Sequence, residues 1–350
     1  MKPAKQLSQL RQQHQINMSV KTMIKRHKWS RRRGDNRKAK KSDYNLIQDV
    51  SSDTLNDDLS IPDFDTSEVK KFGQELDGKT AVTPPLEPQI FAFMGATGGV
   101  GTTSLATQLA YEFAISSPKG SRGFSPNDPS VCLIDLDFES GACADHLDLL
   151  PSLTLADLTG PAEDIDEAFT RALISTHQSG ISLLATPNEM GANAKVNPHT
   201  IMAILDAAMD LYDTVILDMP RHQQPWSMPI MQAVDLLGVT CELNIPSLHA
   251  TREVLSYINR EAQGKVNAHP IIGKYERRSF KNMLKLSDAE KALGQSVFAT
   301  ICQDPDTVRE ALNCGEPAGA LKSDSRFEKD VRVIAARLRK VTNGAAELAA

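Results

Sequence analysis

A stretch rich in glycine and threonine at residues 95–104, GATGGVGTTS, has the residue types that bind phosphate. In a phosphate-binding loop of the form G-x-x-x-x-G-K-[ST], backbone N–H groups surround the phosphates, the lysine reaches the β- and γ-oxygens, and the hydroxyl binds Mg²⁺. The residues that fit such a loop are Gly95, Gly101, Thr103 and Ser104, whereas Thr102 occupies the lysine position. Three interpretations remain open: a working ATPase, a nucleotide-binding switch without chemistry, or a glycine turn that binds nothing.

Acidic residues follow two apolar runs further along the chain. The run SVCLID leads into LDFESGAC, which places Asp135 and Asp137 where a strand ends, and the run VILDMP places Asp218 at the end of another. In an open α/β sheet the carboxyl ends of the strands meet at one edge, where Mg²⁺ and water ligands lie. We therefore expect the three carboxylates to lie beside the glycine-rich loop.

The loop and the carboxylates together predict a site for ATP and Mg²⁺. Thr103 and Asp218 are the candidate Mg²⁺ ligands, with Asp135 acting behind them, and Asp137 is the candidate for orienting water. The predicted nucleotide-binding residues are Gly95, Thr97, Gly98, Gly99, Val100, Gly101, Thr102, Thr103 and Ser104. The alternative for the whole site is a geometry that is retained only for packing.

The pattern from Gln89 onward predicts the elements that position these residues. Short apolar runs alternate with longer helical patterns, as in a mostly parallel sheet wrapped by crossover helices, and the runs are continuously apolar, as in strands buried on both faces. Predicted strands are 89–94, 130–135, 181–186, 213–218, 236–241, 265–272 and 296–301. Predicted helices are 103–116, 163–175, 198–210, 247–262, 287–293, 305–313 and 326–341. The fold class is therefore α/β, of the P-loop NTPase type.

The N-terminal 85 residues differ in composition from the rest of the chain. Residues 1–41 hold 14 Lys and Arg against one acid, a net charge of +13, whereas residues 42–80 hold 10 acids against three Lys, a net charge of −7. Apolar residues are too sparse in this segment to bury a core. We predict a disordered extension over residues 1–85, basic and then acidic, and a P-loop domain over 86–345.

The positive charge is concentrated in KRHKWSRRRGDNRKAKK, residues 25–41. Such a cluster attracts anionic lipid or nucleic acid strongly and in a salt-sensitive way, and Trp29 suits a lipid interface. A charge run is nonetheless often a solvated tail. Of the two binding interpretations, the anionic membrane surface is favoured over nucleic acid.

The cysteines and the apolar runs bear on the cellular compartment. The five cysteines form no C-x-x-C pair, which argues against a zinc site and a disulfide framework. No run of 18 or more apolar residues exists, and the N-terminus lacks the apolar stretch of a signal peptide. We therefore expect a cytoplasmic protein.

The loop and the two acidic motifs resemble those of the ParA/MinD group of deviant Walker-A ATPases. Their loop reads K-G-G-x-G-K-[ST], and its first, signature lysine reaches the nucleotide of a dimer partner. In this sequence Thr97 occupies the signature position and Thr102 the second lysine position. The resemblance implies a homodimer and binding of ATP with Mg²⁺, but both lysines are absent.

Within that group, the sequence resembles the CpaE/TadZ family of Flp (tight adherence) pilus assembly over about residues 89–341. The blocks that carry the resemblance are DLDFESGACADHLDLLPSLTLADL, LDMPRHQQPWSM and YERRSFKNMLKLSDAEKALGQSVFATICQDPDTVREALNCGEP. It implies a localisation and assembly factor for a Flp/Tad pilus or a type II/IV-like secretion system, with the machinery and its ATPase as partners. The expected location is the inner membrane periphery or the cell pole.

The sequence also departs from that family. The family's N-terminal receiver-like domain has no counterpart in residues 1–85. Gly273 occupies the position of an Asn that serves base recognition before Tyr275, and Cys302 replaces a common Pro. These departures put adenine specificity in doubt.

The absence of both lysines should reduce ATP hydrolysis more than it reduces nucleotide binding. A charge-assisted hydrogen bond is worth about 1.5–3 kcal/mol, so nucleotide affinity should fall by roughly one to two orders of magnitude without it. Hydrolysis should suffer more, because the transferred phosphoryl group needs preorganised cations. We expect very slow or no turnover. The alternative is an active ParA/MinD-like ATPase that positions DNA or protein cargo.

Two further segments have open roles. The loop PRHQQPW offers Arg221, His222 and Trp226 beside the predicted site, although Trp226 is favoured as a packing residue beneath the following helix. The segment RFEKDVRVIAARLRKV places four apolar residues on one helical face: Phe327, Val331, Ile334 and Leu338. A narrow stripe of this kind favours docking onto the domain over membrane binding.

Overall fold

The computed structural model describes residues 88–116, 130–276 and 284–347, with side chains up to residue 341. The predicted N-terminal extension, with its basic cluster and acidic segment, lies outside the described residues. The division of the chain at residues 85 and 86 therefore stays a prediction.

Within the described ranges, eight strands form one sheet. They are β1 (Gln89–Gly95), β2 (Val131–Asp135), β3 (Ser175–Thr176), β4 (Ile181–Leu184), β5 (Thr214–Met219), β6 (Leu236–Glu242), β7 (Ala268–Tyr275) and β8 (Ala299–Cys302). Their order across the sheet is β3-β4-β2-β5-β1-β6-β7-β8. All neighbouring pairs are parallel except β3 with β4. Every residue of β2, β4 and β5 is buried, which explains their continuously apolar sequences.

Helices connect the strands and cover the sheet. In the described part of the chain they are α1 (Thr102–Ser116), α2 (Cys143–His146), α3 (Leu155–Thr159), α4 (Glu167–Ala172), α5 (Ala192–Lys195), α6 (Pro198–Leu211), α7 (Ser227–Ala233), α8 (Ile245–Ala262), α9 (Leu286–Leu293), α10 (Pro305–Cys314), α11 (Ala318–Leu321) and α12 (Arg326–Glu347). The predicted α/β class with a mostly parallel sheet is confirmed.

The seven predicted strands are all present, but the prediction of one long helix over 163–175 is wrong. A 3-10 helix covers Ala162–Asp164, and α4 begins anew after Asp166. Asp166 has extended backbone and caps α4, because its Oδ1 accepts a hydrogen bond from the Phe169 N–H at 2.7 Å. The sequence also does not predict β3 or the helices α2, α3, α5, α7 and α11. These elements have two to seven residues, too few to show a period.

The hydrophobic core lies in two clusters. One includes side chains of α6, α7 and α8, such as Leu205, Ile230 and Ile258. The other includes side chains of α1 and α12, such as Leu109 and Ile334. The two clusters share the strands of the sheet, whose side chains alternate between them.

The final helix α12 packs on the domain, as its sequence predicts. All four residues of its apolar stripe are buried: Phe327, Val331, Ile334 and Leu338. The guanidinium of Arg339 lies 4.5 Å from the ring centroid of Phe113 on α1, and the Asp330 carboxylate accepts a hydrogen bond from the Cys302 N–H at 2.8 Å. Among the described residues, no helix combines the length and the apolar composition needed to cross a membrane.

Candidate nucleotide-binding site

The glycine-rich loop lies at the carboxyl edge of the sheet, between β1 and the start of α1. Strand β1 runs between β5 and β6 in the middle of the sheet. Gly99 and Gly101 have φ angles of +71° and +90°, a left-handed backbone that favours glycine. The free N–H groups and the dipole at the N-terminus of α1 favour an anion at this position.

A cavity of about 600 Å³ opens in front of the loop. Its lining residues come from the loop, the segment after β2, α2, α5 and the segment after β5: Gly95, Thr97, Gly98, Gly99, Val100, Gly101, Thr102, Thr103, Ser104, Asp137, Glu139, Ser140, His146, Asn193, Met219, Pro220, Arg221, His222 and Gln224. The structure thus brings every predicted loop residue and Asp137 to the wall of one cavity.

Thr102, at the second lysine position, is hydrogen-bonded to strand β6 of the sheet. Its hydroxyl contacts the Thr240 hydroxyl on β6, which in turn donates to the Met94 carbonyl at 3.1 Å. Because the Thr240 hydroxyl donates to Met94, the Thr102 hydroxyl acts as donor to Thr240. The lysine that would extend toward phosphate at this position is replaced by a shorter threonine, whose hydroxyl faces β6.

Thr97, at the signature lysine position, is also hydrogen-bonded within the domain. Its hydroxyl lies 3.2 Å from the Ser247 hydroxyl in the first turn of α8. Ser247 Oγ also accepts a hydrogen bond from the Glu242 N–H at 3.0 Å, and Asn244 caps this helix by accepting from the Ser247 N–H at 2.9 Å. Both lysine positions therefore carry threonines whose hydroxyls join the loop to neighbouring elements.

Gly95 has a different place from the other loop glycines. It is the last residue of β1, and the first glycine position of the motif, six residues before the lysine position, is occupied by Ala96. A Cβ at Gly95 would lie 3.0 Å from both the Thr97 carbonyl oxygen and Thr102 Oγ1. Gly95 thus allows the loop to fold back tightly onto the end of β1.

Asp135 and Asp218 lie side by side at the ends of β2 and β5, where they are register partners. Ligand atoms of these two carboxylates and of Cys143 lie within 4.8 Å of one another, and all three residues are buried. Asp135 accepts hydrogen bonds from the N–H groups of Asp137 at 3.1 Å and Cys143 at 3.0 Å. Asp218 is hydrogen-bonded by the Thr103 hydroxyl and lies 3.6 Å from Cys143 Sγ.

The electrostatics of this pair favour a cation. Burial, followed by the charge of Asp135, raises the pKa of Asp218. Burial also raises the pKa of Asp135, although the N–H groups of Cys143 and Asp137 act in the opposite direction. Two carboxylates and a hydroxyl are the oxygen ligands that Mg²⁺ prefers, whereas the buried Cys143 thiol, whose pKa is raised by burial, suits it poorly. The residues thus fit Mg²⁺.

Asp137 lies at the turn after β2, on the wall of the cavity. Its Oδ1 accepts a hydrogen bond from the Ser140 N–H at 3.1 Å, and its carbonyl accepts from the Gly141 N–H at 2.7 Å. The turn is joined to the segment between β4 and α5 because the Asn188 side chain donates to the Gly141 carbonyl at 2.8 Å. Asp137 thus lines the cavity and does not belong to the buried group of Asp135, Cys143 and Asp218.

A second cavity of about 380 Å³ lies on the other side of the loop, between β7, β8 and α10. Gly273 and Cys302, the two positions that the sequence resemblance associates with base recognition, both line it together with Gln303. A Cβ at Gly273 would lie 2.7 Å from the Val100 carbonyl oxygen of the loop. An Asn therefore does not fit at this position with the loop as it stands, so residue 273 contributes only its backbone to the wall of the cavity.

The loop after β5 divides into a packing residue and an exposed pair. Trp226 is 2% exposed, its ring lies 5.7 Å from that of Phe138, and its Nε1 donates to the Asn193 carbonyl at 3.5 Å, which confirms that it packs in the core. Arg221 and His222 line the cavity in front of the glycine-rich loop. Arg221 Nη2 lies 2.7 Å from His222 Nε2.

Several residues that contact or line the site are not predicted from the sequence, and four of them have a specific contact or an unsatisfied polar atom there. Thr240 and Ser247 hold the loop threonines, Cys143 joins the carboxylate pair, and Asn193 lines the cavity with its Oδ1 lacking a hydrogen-bond partner. Thr240 lies in the apolar run that forms β6, and Ser247 lies in the first turn of the helix that follows it, a pattern that places both residues near the carboxyl edge. No comparable signal in the sequence identifies Cys143 or Asn193.

Comparison with known proteins supports the fold. No protein-family model and no curated protein matches the sequence. The structure is similar to a ParA family ATPase from Chlorobium tepidum, with a TM-score of 0.62, 18% identity and coverage of 71% of this chain and 97% of that one. It is also similar to the septum site-determining protein MinD complexed with Mg-ADP from Pyrococcus horikoshii, with a TM-score of 0.57, 19% identity and coverage of 75% of this chain and 99% of that one. A third similar structure is the MinC:MinD cell division protein complex from Aquifex aeolicus, with a TM-score of 0.54, 19% identity and coverage of 72% of this chain and 96% of that one. The chain therefore has the fold of ParA/MinD ATPases.

Proposed function

We propose that this protein is a nucleotide-dependent assembly factor that binds ATP with Mg²⁺ weakly and hydrolyses it very slowly or not at all. The observation that carries this proposal is that threonines occupy both lysine positions of the loop. Thr97 and Thr102 keep the loop in place through hydroxyl contacts with Ser247 and Thr240, yet neither brings a positive charge. A loop preserved in shape but not in charge suits binding better than catalysis.

The proposed roles follow from where the residues lie. The backbone N–H groups of the loop hold the phosphates, and Thr103 and Asp218 hold Mg²⁺, with Asp135 behind them. When bound, Mg²⁺ would neutralise phosphate charge. Asp137, which lines the cavity, is the group available to orient water. The Mg-ADP complex of a protein with the same fold supports this choice of ligand.

Restoring the lysine should tighten nucleotide binding. We expect Thr102→Lys to raise the affinity for Mg-ATP by about tenfold or more, because a charge-assisted contact to phosphate is worth about 1.5–3 kcal/mol. Thr102→Met is the matched control, since it also removes the contact with Thr240 but adds no charge. Calorimetric titration of the three proteins measures the difference, and equal affinities for the Lys and Met variants would contradict the proposed role of the loop.

Hydrolysis should remain negligible in the parent protein. The transition state of phosphoryl transfer needs preorganised cations, and a single arginine or lysine supplies factors of about 10³–10⁵. A phosphate-release assay with Mg-ATP measures the turnover. A turnover of about 1 s⁻¹, the slow end of ordinary enzymes, would overturn the proposal in favour of an active ATPase.

The proposed partners are proteins of a Flp/Tad pilus or a related secretion machine, including its ATPase, and a second copy of the chain. The sequence resemblance to CpaE/TadZ motivates this assignment, and the MinC:MinD complex supports protein partners for this fold. Met190 is 93% exposed on the loop before α5, and the adjacent Glu189 N–H donates to the Phe138 carbonyl at 3.1 Å. This exposed apolar side chain beside the nucleotide cavity suits a protein contact. Copurification with the secretion ATPase tests the assignment.

The basic segment at residues 25–41 distinguishes the proposed function from the alternative of an ATPase that positions DNA or protein cargo. We propose that this segment holds the protein at the anionic inner face of the membrane, near the assembly machine or the cell pole. The full chain should then cosediment with anionic liposomes at low salt and lose this binding several-fold as salt screens the charge. Retention of duplex DNA without binding to liposomes would instead favour the cargo-positioning alternative.

A further inference from the structure

The segment after β5 brings a positive charge to the glycine-rich loop from outside it. Arg221 follows Asp218 by three residues and lines the same cavity as the loop. Its Nη1 lies 3.6 Å from the position that a Cβ on Gly98 would occupy. The guanidinium therefore lies directly against the backbone of the loop, next to Thr97 and on the side that faces the cavity.

Arg221 is a cation in a cavity whose other charged lining residues are acidic. Among its lining residues, all of which the structure describes, Arg221 is the one Lys or Arg, whereas Asp137 and Glu139 are acidic. A nucleoside triphosphate has several negative charges, of which one Mg²⁺ compensates two. The cavity therefore needs a further cation to hold a triphosphate, and the side chain in reach is Arg221.

The surroundings of Arg221 leave its charge available. Its Nη2 donates to His222 Nε2 at 2.7 Å, a bond that orients the guanidinium and requires a neutral acceptor nitrogen. Within the described part of the chain, no carboxylate forms an ion pair with Arg221. An arginine that is oriented by a neutral group and lies beside a phosphate-type loop retains its donors for a bidentate contact with phosphate oxygens.

We propose that Arg221 is a phosphate-binding residue that replaces, from the same chain, the lysine missing from the glycine-rich loop. Its guanidinium contacts the β- and γ-phosphates of a nucleotide whose phosphates lie along the loop. The substrate class is thus a nucleoside triphosphate or diphosphate rather than a monophosphate. This inference rests on the proposed binding of nucleotide.

The replacement also fits the proposed lack of turnover. Arg221 is exposed and is carried by a loop rather than by the first turn of α1. Because its hydrogen-bond partner His222 is also exposed on this loop, Arg221 binds the ground state of the phosphates but is less preorganised than a helix residue for the charge that develops during transfer. Arg221 therefore contributes to affinity, and it does not restore the transition-state contact of a loop lysine.

Titrations of Mg-ATP, Mg-ADP and AMP against three full-length proteins test the proposal. Arg221→Gln should weaken Mg-ATP binding by about tenfold or more, because a charge-assisted contact is lost, and should leave AMP binding unchanged. Arg260→Gln is the matched control, because Arg260 lies at the far end of α8 and pairs with Glu261. Its affinities should equal those of the parent. Thermal melts of the variants check that they are folded.

A rescue experiment separates a charge role from a structural one. Adding Thr102→Lys to Arg221→Gln should recover Mg-ATP affinity, since a lysine in the loop supplies the same charge to the same phosphates. Arg221→Lys should lie between the parent and the Gln variant, because lysine keeps the charge but loses the bidentate geometry.

The possible failures can be told apart. If the parent binds Mg-ATP and Arg221→Gln binds it equally well, the role of Arg221 is overturned while the proposed function stands. If the parent and the Thr102→Lys variant both bind no Mg-ATP or Mg-ADP, the proposed function itself fails, and the role of Arg221 fails with it. Loss of binding in Arg221→Gln that Thr102→Lys does not rescue would assign Arg221 a structural role and overturn the charge replacement.

Discussion

Replacing Asp218 with Asn should stabilise the protein at pH 8 in the absence of Mg²⁺ and nucleotide, by about 2–4 kcal/mol in the free energy of unfolding. Asp218 and Asp135 are neighbours on β5 and β2 and are 4% and 5% exposed. Burial, and then the charge of Asp135, raises the pKa of Asp218 to about 8. An Asn of the same shape retains an acceptor for the Cys143 thiol and introduces no charge.

The gain should depend on pH in a defined direction. Because the pKa of Asp218 in the folded protein is about 8, above the ordinary value of about 3.9, the folded state keeps a proton that the unfolded chain releases. This contribution to stability is complete below about pH 4 and is lost as the pH rises through about 8. The parent should therefore lose stability across this range, and its difference from the Asn variant should be largest at pH 8.

Denaturant unfolding at several pH values, without added cation, measures this difference. Asp164→Asn is the control, because Asp164 is exposed in the 3-10 helix and its replacement should change stability by less than about 0.5 kcal/mol. Saturating Mg²⁺ with ATP should stabilise the parent more than the Asn variant, since Asp218 is a proposed ligand. An Asn variant that is less stable than the parent at pH 8 would contradict the electrostatic account of the pair.

The positions of Asp135 and Asp218 can be predicted from the sequence because they depend on one simple rule. A continuously apolar run that ends in an acid predicts a buried strand with a carboxylate at its end, and parallel strands bring their ends to one edge. Asp135 and Asp218 satisfy this rule at the ends of β2 and β5. The glycine-rich loop follows the apolar run of β1 and therefore lies at the same edge, so the sequence predicts that the three parts of the site lie together.

The contacts of the loop threonines could not be read from the sequence. Thr102 meets Thr240 on β6 and Thr97 meets Ser247 on α8, partners 138 and 150 residues away. These contacts depend on the position of β6 directly beside β1, and the order of strands in a sheet is not encoded in any local pattern. The same applies to Arg221, whose position against Gly98 depends on the path of the loop after β5.

Buried acids are a second feature that local patterns conceal. Glu112 on α1 and Glu328 on α12 are 3% and 1% exposed, although glutamates on helices usually face water. Burial is the main cause of the raised pKa of Glu112, with Glu328 adding to it, while the hydrogen bond from Gln108 and the charge of Arg332 act against it. Arg332 lies 3.7 Å from Glu112 and also pairs with Glu328. This polar group forms only when α12 docks, so neither helix reveals it alone.

Two adjacent residues of α12 should differ strongly in what they contribute to stability, because the docked helix buries only one of them. Ile334 is fully buried against the core, whereas Val333 is 51% exposed. Ile334→Ala should lower the free energy of unfolding by about 2–5 kcal/mol, because it removes buried methyl groups and leaves a cavity. Val333→Ala should change it by less than about 0.5 kcal/mol, since the lost contact is partial and alanine favours the helix.

Denaturant unfolding of the two variants measures this contrast and decides between docking and membrane binding for the final helix. If α12 docks permanently on α1 and β8, the difference between the variants should persist with and without anionic liposomes. Equal and small effects of both substitutions would mean that the apolar stripe is not part of the stable core in solution. In that case Ile334 and its neighbours Val331 and Leu338 would be free to enter a lipid surface, and the membrane attraction assigned to residues 25–41 would have to be shared with the C-terminal helix.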